Sequence, residues 1–554
     1  MTQSDRRTLG RVERIVSALQ VAGATSIESR RVIPGEVCAA LVVACATSNR
    51  PIADSLADPK YLDLMLTIAN EVLAVQSSQS VRFGPADHAT LLNHILTLVR
   101  TADGDFDSAI PANEHPSDSD VMTTLCGPIT DHARHLMEAI NSGDRRADAA
   151  NLDLLATYER TDRLGTSLNA VVALLRAPKR REDGPLHGVA IAIKDFFDIK
   201  GVARGHGNPS AMAGHVSDVD APVVASLREA GADVYATTTM LEYAAVAMHS
   251  DIPEAMNPFD HTRTAGGSSG GSAALVGAGA CEVSLGTDTG GSVRIPAHYC
   301  GVVGFKPSYD ALSRDGVQPF APTLDHVGLF GKNVDIVERV FSAITGKPVG
   351  SQKKLRLQVG VDRDQVLDPY ITPEVREVVI EAIARIAKGA DLLDVDGWPF
   401  AEIRTTWDAI ILHEAWQTHG ERVLRNPSHY GPETLRFLEV SSKVSDAAYA
   451  NSLSTRAELL PYTEAVYDGL DIVITPIAPY VAPVTMPTFD SPEGEIEPRF
   501  SGIYNVTGAP AIVLPCGFDL HGLPIGLQLS AAFGADMDLL RAAAQVESLL
   551  ALKN

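Results

Sequence analysis

The sequence predicts an α/β layer protein with a separate helical segment in front of it. Three observations carry that expectation. From residue 189 onward, short apolar runs alternate with helical patterns, as in strand–helix–strand layering. The first hundred residues show helical spacing and little β-branched alternation. At 554 residues the chain also exceeds what one hydrophobic core usually supports.

Taken in order, residues 9–21, 61–75 and 88–99 place apolar side chains at helical spacing, and 36–46 reads as a short buried helix. Residues 101–120 are acidic and rich in chain breakers, a linker composition. The expected division is a helical N-terminal domain with its linker over 1–118 and a second domain over 119–554. Helical signals return at 132–140 and 147–163. Residues 189–194 form an apolar run ending in Lys194, suited to a buried strand. Residues 223–230 read as a helix stopped by Gly231, and 233–238 as a strand. Later strands are expected at 301–307, 355–361, 471–476, 511–515 and 524–529, with a helix over 373–390.

Composition excludes several function classes. A net charge of −23 opposes binding to phosphate backbones, so no nucleic-acid partner is expected. No run of eighteen apolar residues occurs and no signal core follows Met1, so no membrane partner is expected. The six cysteines (Cys38, Cys45, Cys126, Cys281, Cys300, Cys516) are scattered, which suits reduced thiols and a cytoplasmic location. Asn505-Val506-Thr507 matches the glycosylation sequon and is read as chance. Metal spacing is lacking. His132 and His135 have no third ligand nearby, and His413 and His419 are six apart, not the four that share a helix face. Gly277-Ala278-Gly279 lacks the third glycine of a dinucleotide loop, and no Gly-Lys-Ser/Thr makes a phosphate loop. No metal or cofactor is expected.

The chemistry gathers between Gly266 and Ser292. Nine of these twenty-seven residues are glycine, where average usage gives about two. Glycine lets other groups approach the backbone closely. The flanking apolar segments 273–276 and 283–285 hold both loops in a packed region, unlike a free Gly/Ser linker. Ser268 and Ser269 each fit the Gly-x-Ser-x-Gly elbow of esterases, which also needs an Asp and a His from elsewhere. A second arrangement uses more of the chain. Lys194 ends an apolar strand, and burial would lower its pKa enough for it to act as a base. A neutral amine can then draw a proton through one serine from another, with Ser268 and Ser292 available. The turn Thr289-Gly290-Gly291 offers backbone N–H donors beside Ser292, suited to an oxyanion. The three tryptophans (Trp398, Trp407, Trp416) fall within nineteen residues and suit either core packing or a pocket wall.

At these residues the chain resembles the amidase signature family of serine hydrolases. The matches are Ile191-Ala192-Ile193-Lys194-Asp195, Gly266 to Ser272, and Gly286 to Pro296, at spacings of 74 from Lys194 to Ser268 and 24 on to Ser292. Weaker echoes run through Asn257-Pro258, Gly304-Phe305-Lys306-Pro307, Leu324-Asp325-His326, Asn505 to Pro510, and Gly522 to Gln528. The resemblance implies an α/β fold built on a large mixed β-sheet surrounded by helices, and a Ser-cisSer-Lys triad. Ser292 would be the nucleophile, Ser268 the bridging serine after a cis peptide, and Lys194 the general base. Thr289, Gly290 and Gly291 would line the oxyanion hole, with Asp288 and Arg294 buttressing the loop. The implied activity is hydrolysis of a small amide, hydrazide, carbamate or urea-type C–N bond. The alternative is a glutaminase-like amidotransferase A-type subunit that passes ammonia to a partner. A homodimer is a candidate assembly. The chain departs from the family at Phe196, at Arg204-Gly205-His206-Gly207-Asn208 and at Gly328-Leu329. Arg204 and His206 are therefore candidate substrate contacts.

Overall fold

The structure is a computed structural model and describes residues 157–551 except 159, 176–183, 213–215, 349–354 and 396–397. The expected helical domain, its linker, the boundary at 118/119 and His132 with His135 lie outside the described residues.

The described residues form an eleven-stranded mixed sheet. Its strands are β1 (Val171–Leu174), β2 (Ala190–Lys194), β3 (Asp233–Thr238), β4 (Val283–Asp288), β5 (Val303–Lys306), β6 (His326–Gly331), β7 (Leu357–Asp362), β8 (Ala390–Val395), β9 (Ile472–Pro476), β10 (Ala511–Phe518) and β11 (Pro524–Ser530). The order across the sheet is β1-β3-β2-β4-β6-β5-β10-β11-β9-β7-β8. β2 runs parallel to both β3 and β4, and β7 parallel to both β8 and β9; the remaining pairs are antiparallel. β2, β3 and β4 are buried along their whole length, as parallel strands covered on both faces must be.

Helices cover the two faces. Those used below are α1 (Pro222–Glu229), α2 (Gly270–Gly277), α3 (Arg294–Cys300), α4 (Val334–Thr345), α5 (Pro373–Ile386), α6 (Phe400–Arg425), α7 (Pro432–Ser441), α8 (Asp446–Ala465) and α9 (Asp536–Leu550). One apolar core joins the sheet to α1, α4, α5 and α9; a second involves α6 and α7. β9 feeds both: Ile472 and Ile474 enter the first and Val473 the second, because successive strand residues point to opposite faces.

Two expectations need correction. The helix expected over 373–390 ends at Ile386, and Ala390 opens β8 instead. The strand expected from Leu355 starts at Leu357, and Leu355 is fully exposed. The short edge strand β1, β4 and the glycine-interrupted β6 were not expected as strands from the sequence.

What positions the site is the edge where β2 and β4 end together. Ile191 registers with Val283 and Ile193 with Leu285, so Lys194 and Asp288 close neighbouring strands on one side of the sheet. In open α/β sheets ligands bind at such carboxyl ends. α2 starts at the same edge and docks closely, with Gly271 N donating to Thr239 O at 3.0 Å. A Cβ on Gly271 would lie 2.5 Å from Ala170 O, 2.6 Å from Thr239 O and 2.7 Å from Thr239 N, all backbone atoms that cannot swing aside. Gly271→Ala is expected to destabilise the protein by about 1–3 kcal/mol through overpacking. A lower urea midpoint at unchanged m-value would report it; an unchanged midpoint would show that the junction yields.

Candidate active site

Lys194 is fully buried, yet its ammonium is served by hydroxyls. Nζ donates to Ser268 Oγ at 2.7 Å and to Thr287 Oγ1 at 2.8 Å. Burial lowers its pKa to about 7, against the opposing pull of the Asp288 and Asp325 charges. The Phe196 ring lies 5.4 Å from Nζ, filling space with an apolar group where the family resemblance leads one to expect an asparagine. Ser268 is likewise buried, follows a cis Gly267–Ser268 peptide bond, and accepts Leu241 N at its carbonyl at 3.0 Å.

The second loop hangs on Asp288 and Arg294, neither of which has any exposed side-chain surface. Arg294 Nη2 donates to Asp288 Oδ1 at 2.8 Å and Nε to Oδ2 at 3.0 Å. The same carboxylate takes Gly291 N at 2.9 Å, Val293 N at 3.1 Å and Asn505 Nδ2 at 2.9 Å. Burial pushes the Asp288 pKa up, but the Arg294 charge and the hydrogen bonds from Arg294 and Asn505 overturn that, so it ends well below the usual carboxylate range. Arg294 also reaches Ser501 O at 2.9 Å, Gln528 Oε1 at 2.8 Å and Asn505 Oδ1 at 2.8 Å.

Between them the turn 289–291 is pinned from outside. Trp407 Nε1 donates to Thr289 O at 3.2 Å, and Ser501 Oγ donates to Gly290 O. Thr289 Oγ1 donates to Asp325 Oδ1 at 2.6 Å, and Asp325 also accepts the Phe320 and Ala321 N–H groups. Burial raises the Asp325 pKa, with the Thr289 hydrogen bond opposing it. A side chain at Gly290 would meet Trp407 at 2.4 Å, and Gly291 holds φ +132°. Both glycines are thus required by the turn. Ser292 is half-buried just before α3, and among the described residues no hydrogen bond engages its hydroxyl.

The structure therefore brings Lys194 and Ser268 into direct contact and sets Ser292 four residues after the carboxylate whose charge acts on Lys194. Ser269, the other elbow candidate, is spent on the fold: it accepts Thr287 N at 3.3 Å and donates to Thr287 O at 3.1 Å. Arg204 pairs with Asp198 at 3.0 Å and donates to Gly316 O at 3.2 Å. His206 is buried and stacked on Tyr243 at 5.5 Å. His413 stacks on Tyr449 at 4.3 Å, and among the described residues no three His, Cys, Asp or Glu side chains converge as a metal site. Sequence reasoning gave Thr287 and Asp325 no role, though both lie in quoted motifs, named Trp407 only as part of the tryptophan cluster, and missed Ser501, for which no local signal exists. Asn505, read as a chance sequon, is fully buried against Asp288.

Asp288→Ala would leave Arg294 charged and unpaired in the interior. It is expected to destabilise the protein by roughly 3–5 kcal/mol, measured by chemical denaturation. A loss under about 1 kcal/mol, the size typical of exposed pairs, would show the pair to be dispensable.

Comparison with known proteins places this geometry. The Amidase family model matches residues 166–540. A curated relative from Symbiobacterium thermophilum, the A subunit of glutamyl-tRNA(Gln) amidotransferase, is 32% identical over 413 residues, covering 65% of this chain and 83% of the relative. A crystal structure of an amidase superposes with a TM-score of 0.65 at 28% identity, covering 72% of this chain and 95% of that one. A 6-aminohexanoate cyclic dimer hydrolase gives 0.64 at 25% identity, covering 75% and 96%.

Proposed function

Since the chain belongs to the amidase (amidase signature) family, we propose that it is an amidohydrolase that cleaves a carboxamide or related C–N acyl bond through a Ser292 acyl-enzyme. The observation that carries this reading is the buried lysine held 2.7 Å from Ser268 with its pKa brought to about 7. A general base works best when its pKa lies near the operating pH.

In the proposed reaction, neutral Lys194 accepts the Ser268 proton while Ser268 takes the proton of Ser292. The Ser292 oxygen attacks the carbonyl carbon. The oxyanion is met by N–H groups of the turn 289–291, where one donor typically contributes ~2.7–4 kcal/mol. Gly291 N–H is already donated to Asp288, so Thr289 and Gly290 carry most of this task. Collapse breaks the C–N bond, and the amine leaves with the proton returned from Lys194 through Ser268. Water, deprotonated by the same relay, then frees the acid from Ser292. Amides, hydrazides, carbamates and ureas all suit this sequence of steps.

A second reading is an amidotransferase A-type subunit working with a partner, favoured by the 32% identity to such a protein. Turnover of simple amides by the purified chain supports the first reading; ammonia release only with an added partner supports the second.

Ser292→Ala is expected to abolish both turnover and the covalent fluorophosphonate adduct. An adduct that survives there and vanishes in Ser268→Ala would instead support the esterase-elbow arrangement. The pH profile provides an independent check. Lys194 is charged below its pKa and neutral above it, so kcat/KM should rise through about pH 7 and level off. A profile flat from pH 5 to 9 would sink the general-base role.

A further inference from the structure

Two peptide units lead from Thr289 to Gly291, and they are held differently. The Gly290–Gly291 unit is fixed at both ends: Ser501 Oγ donates to Gly290 O, and Gly291 N donates to Asp288 Oδ1 at 2.9 Å. The Thr289–Gly290 unit is held at one end, where Trp407 Nε1 donates to Thr289 O at 3.2 Å. Among the described residues no other hydrogen bond fixes that unit, and none engages the Gly290 N–H. The unit is trans, since the one cis bond among the described residues is Gly267–Ser268. In a planar trans peptide the carbonyl and the N–H point in opposite directions. A donor on Thr289 O therefore turns the Gly290 N–H away from α6, the helix that carries Trp407.

This restraint matters because Gly290 has no Cβ to resist rotation, so the plane is free to turn once its carbonyl is released. The ring also closes the space behind the turn: a Cβ on Gly290 would lie 2.4 Å from Trp407 Cζ2. The indole is itself held firmly. The Arg404 guanidinium lies 5.2 Å over the ring and is fixed by Asp408 at 3.0 Å and by Glu495 O at 2.9 Å. Gly502 packs so near that a Cβ there would come within 3.3 Å of the ring. A bond accepted at a carbonyl also polarises the amide, which makes the N–H of the same unit a stronger donor.

We propose that Trp407 is a positioning residue for the oxyanion: by holding the Thr289 carbonyl it aims the Gly290 N–H at the negative oxygen formed when Ser292 attacks. This deepens the amidohydrolase reading and rests on Ser292 as the nucleophile. The indole acts through the backbone, so its contribution is realised in the transition state.

The test follows the rate of fluorophosphonate labelling of the full chain. Negative charge gathers on the phosphonyl oxygen as the bond to Ser292 forms and fluoride leaves, so this rate reads the oxyanion donors. Two variants are compared with the parent. Trp407→Phe removes the N–H and part of the ring. Benzothienylalanine placed at position 407 keeps the ring and replaces the N–H with sulfur. Loss of a whole oxyanion donor costs roughly 10²–10³ in rate, and loss of its aim should cost about tenfold or more in both variants. The benzothienylalanine protein should keep the parent's urea midpoint, and its labelling rate should still rise through about pH 7, because Lys194 is untouched. Labelling of that protein within about twofold of the parent would overturn the proposal and reduce the ring to packing. So would a slowing that comes only with a lowered urea midpoint or with a displaced pH midpoint. No Ser292 adduct in the parent would overturn the nucleophile assignment beneath the proposal, and the proposal with it.

Discussion

The buried pair of Asp288 and Arg294 is the interaction on which the rest of the site depends. Removing two charges from water is expensive, and such a pair is favourable only when every remaining donor and acceptor is satisfied. Here they are. The carboxylate gathers backbone N–H groups from the turn and an asparagine amide, while the guanidinium spreads to Gln528, Asn505 and the Ser501 carbonyl. One pair thus fastens the end of β4, the start of α3, β11 and the segment around 501–505. The turn that carries Ser292 has no regular structure of its own, and its shape is the product of these bonds.

The same carboxylate sets the electrostatics of Lys194. Burial alone would drive the amine strongly toward its neutral form, and the Asp288 and Asp325 charges draw it back. The opposing effects leave the group near neutrality, where it can both accept and return a proton. Thr287 matters for the same reason, because its hydroxyl gives the charged form of the amine a second hydrogen-bond acceptor. A lysine held by carboxylates alone would stay charged, and one surrounded only by apolar groups would release its proton too readily to serve as an acid.

How much of this was legible in the sequence follows from the range of each interaction. The strand holding Lys194 was readable, since a fully buried parallel strand leaves a continuous apolar run, whereas β4, interrupted by Ser284, Gly286 and Thr287, showed only as a short apolar segment beside the loops. The loops were readable because close backbone approach demands glycine. The elbow pattern alone did not separate Ser268 from Ser269, because both fit it; the resemblance pointed to Ser268, and the structure bonds Ser269 to β4 and Ser268 to the lysine. Partners distant in sequence were equally hidden. Thr289 finds Asp325 across 36 residues, Trp407 finds Thr289 across 118, and Asn505 finds Asp288 across 217. No local pattern encodes such pairings. Trp407 shows the limit most plainly, since its ring packs in a hydrophobic core while its indole N–H holds the turn. Core packing and pocket wall were offered as alternatives, yet one side chain performs a packing and a positioning task together.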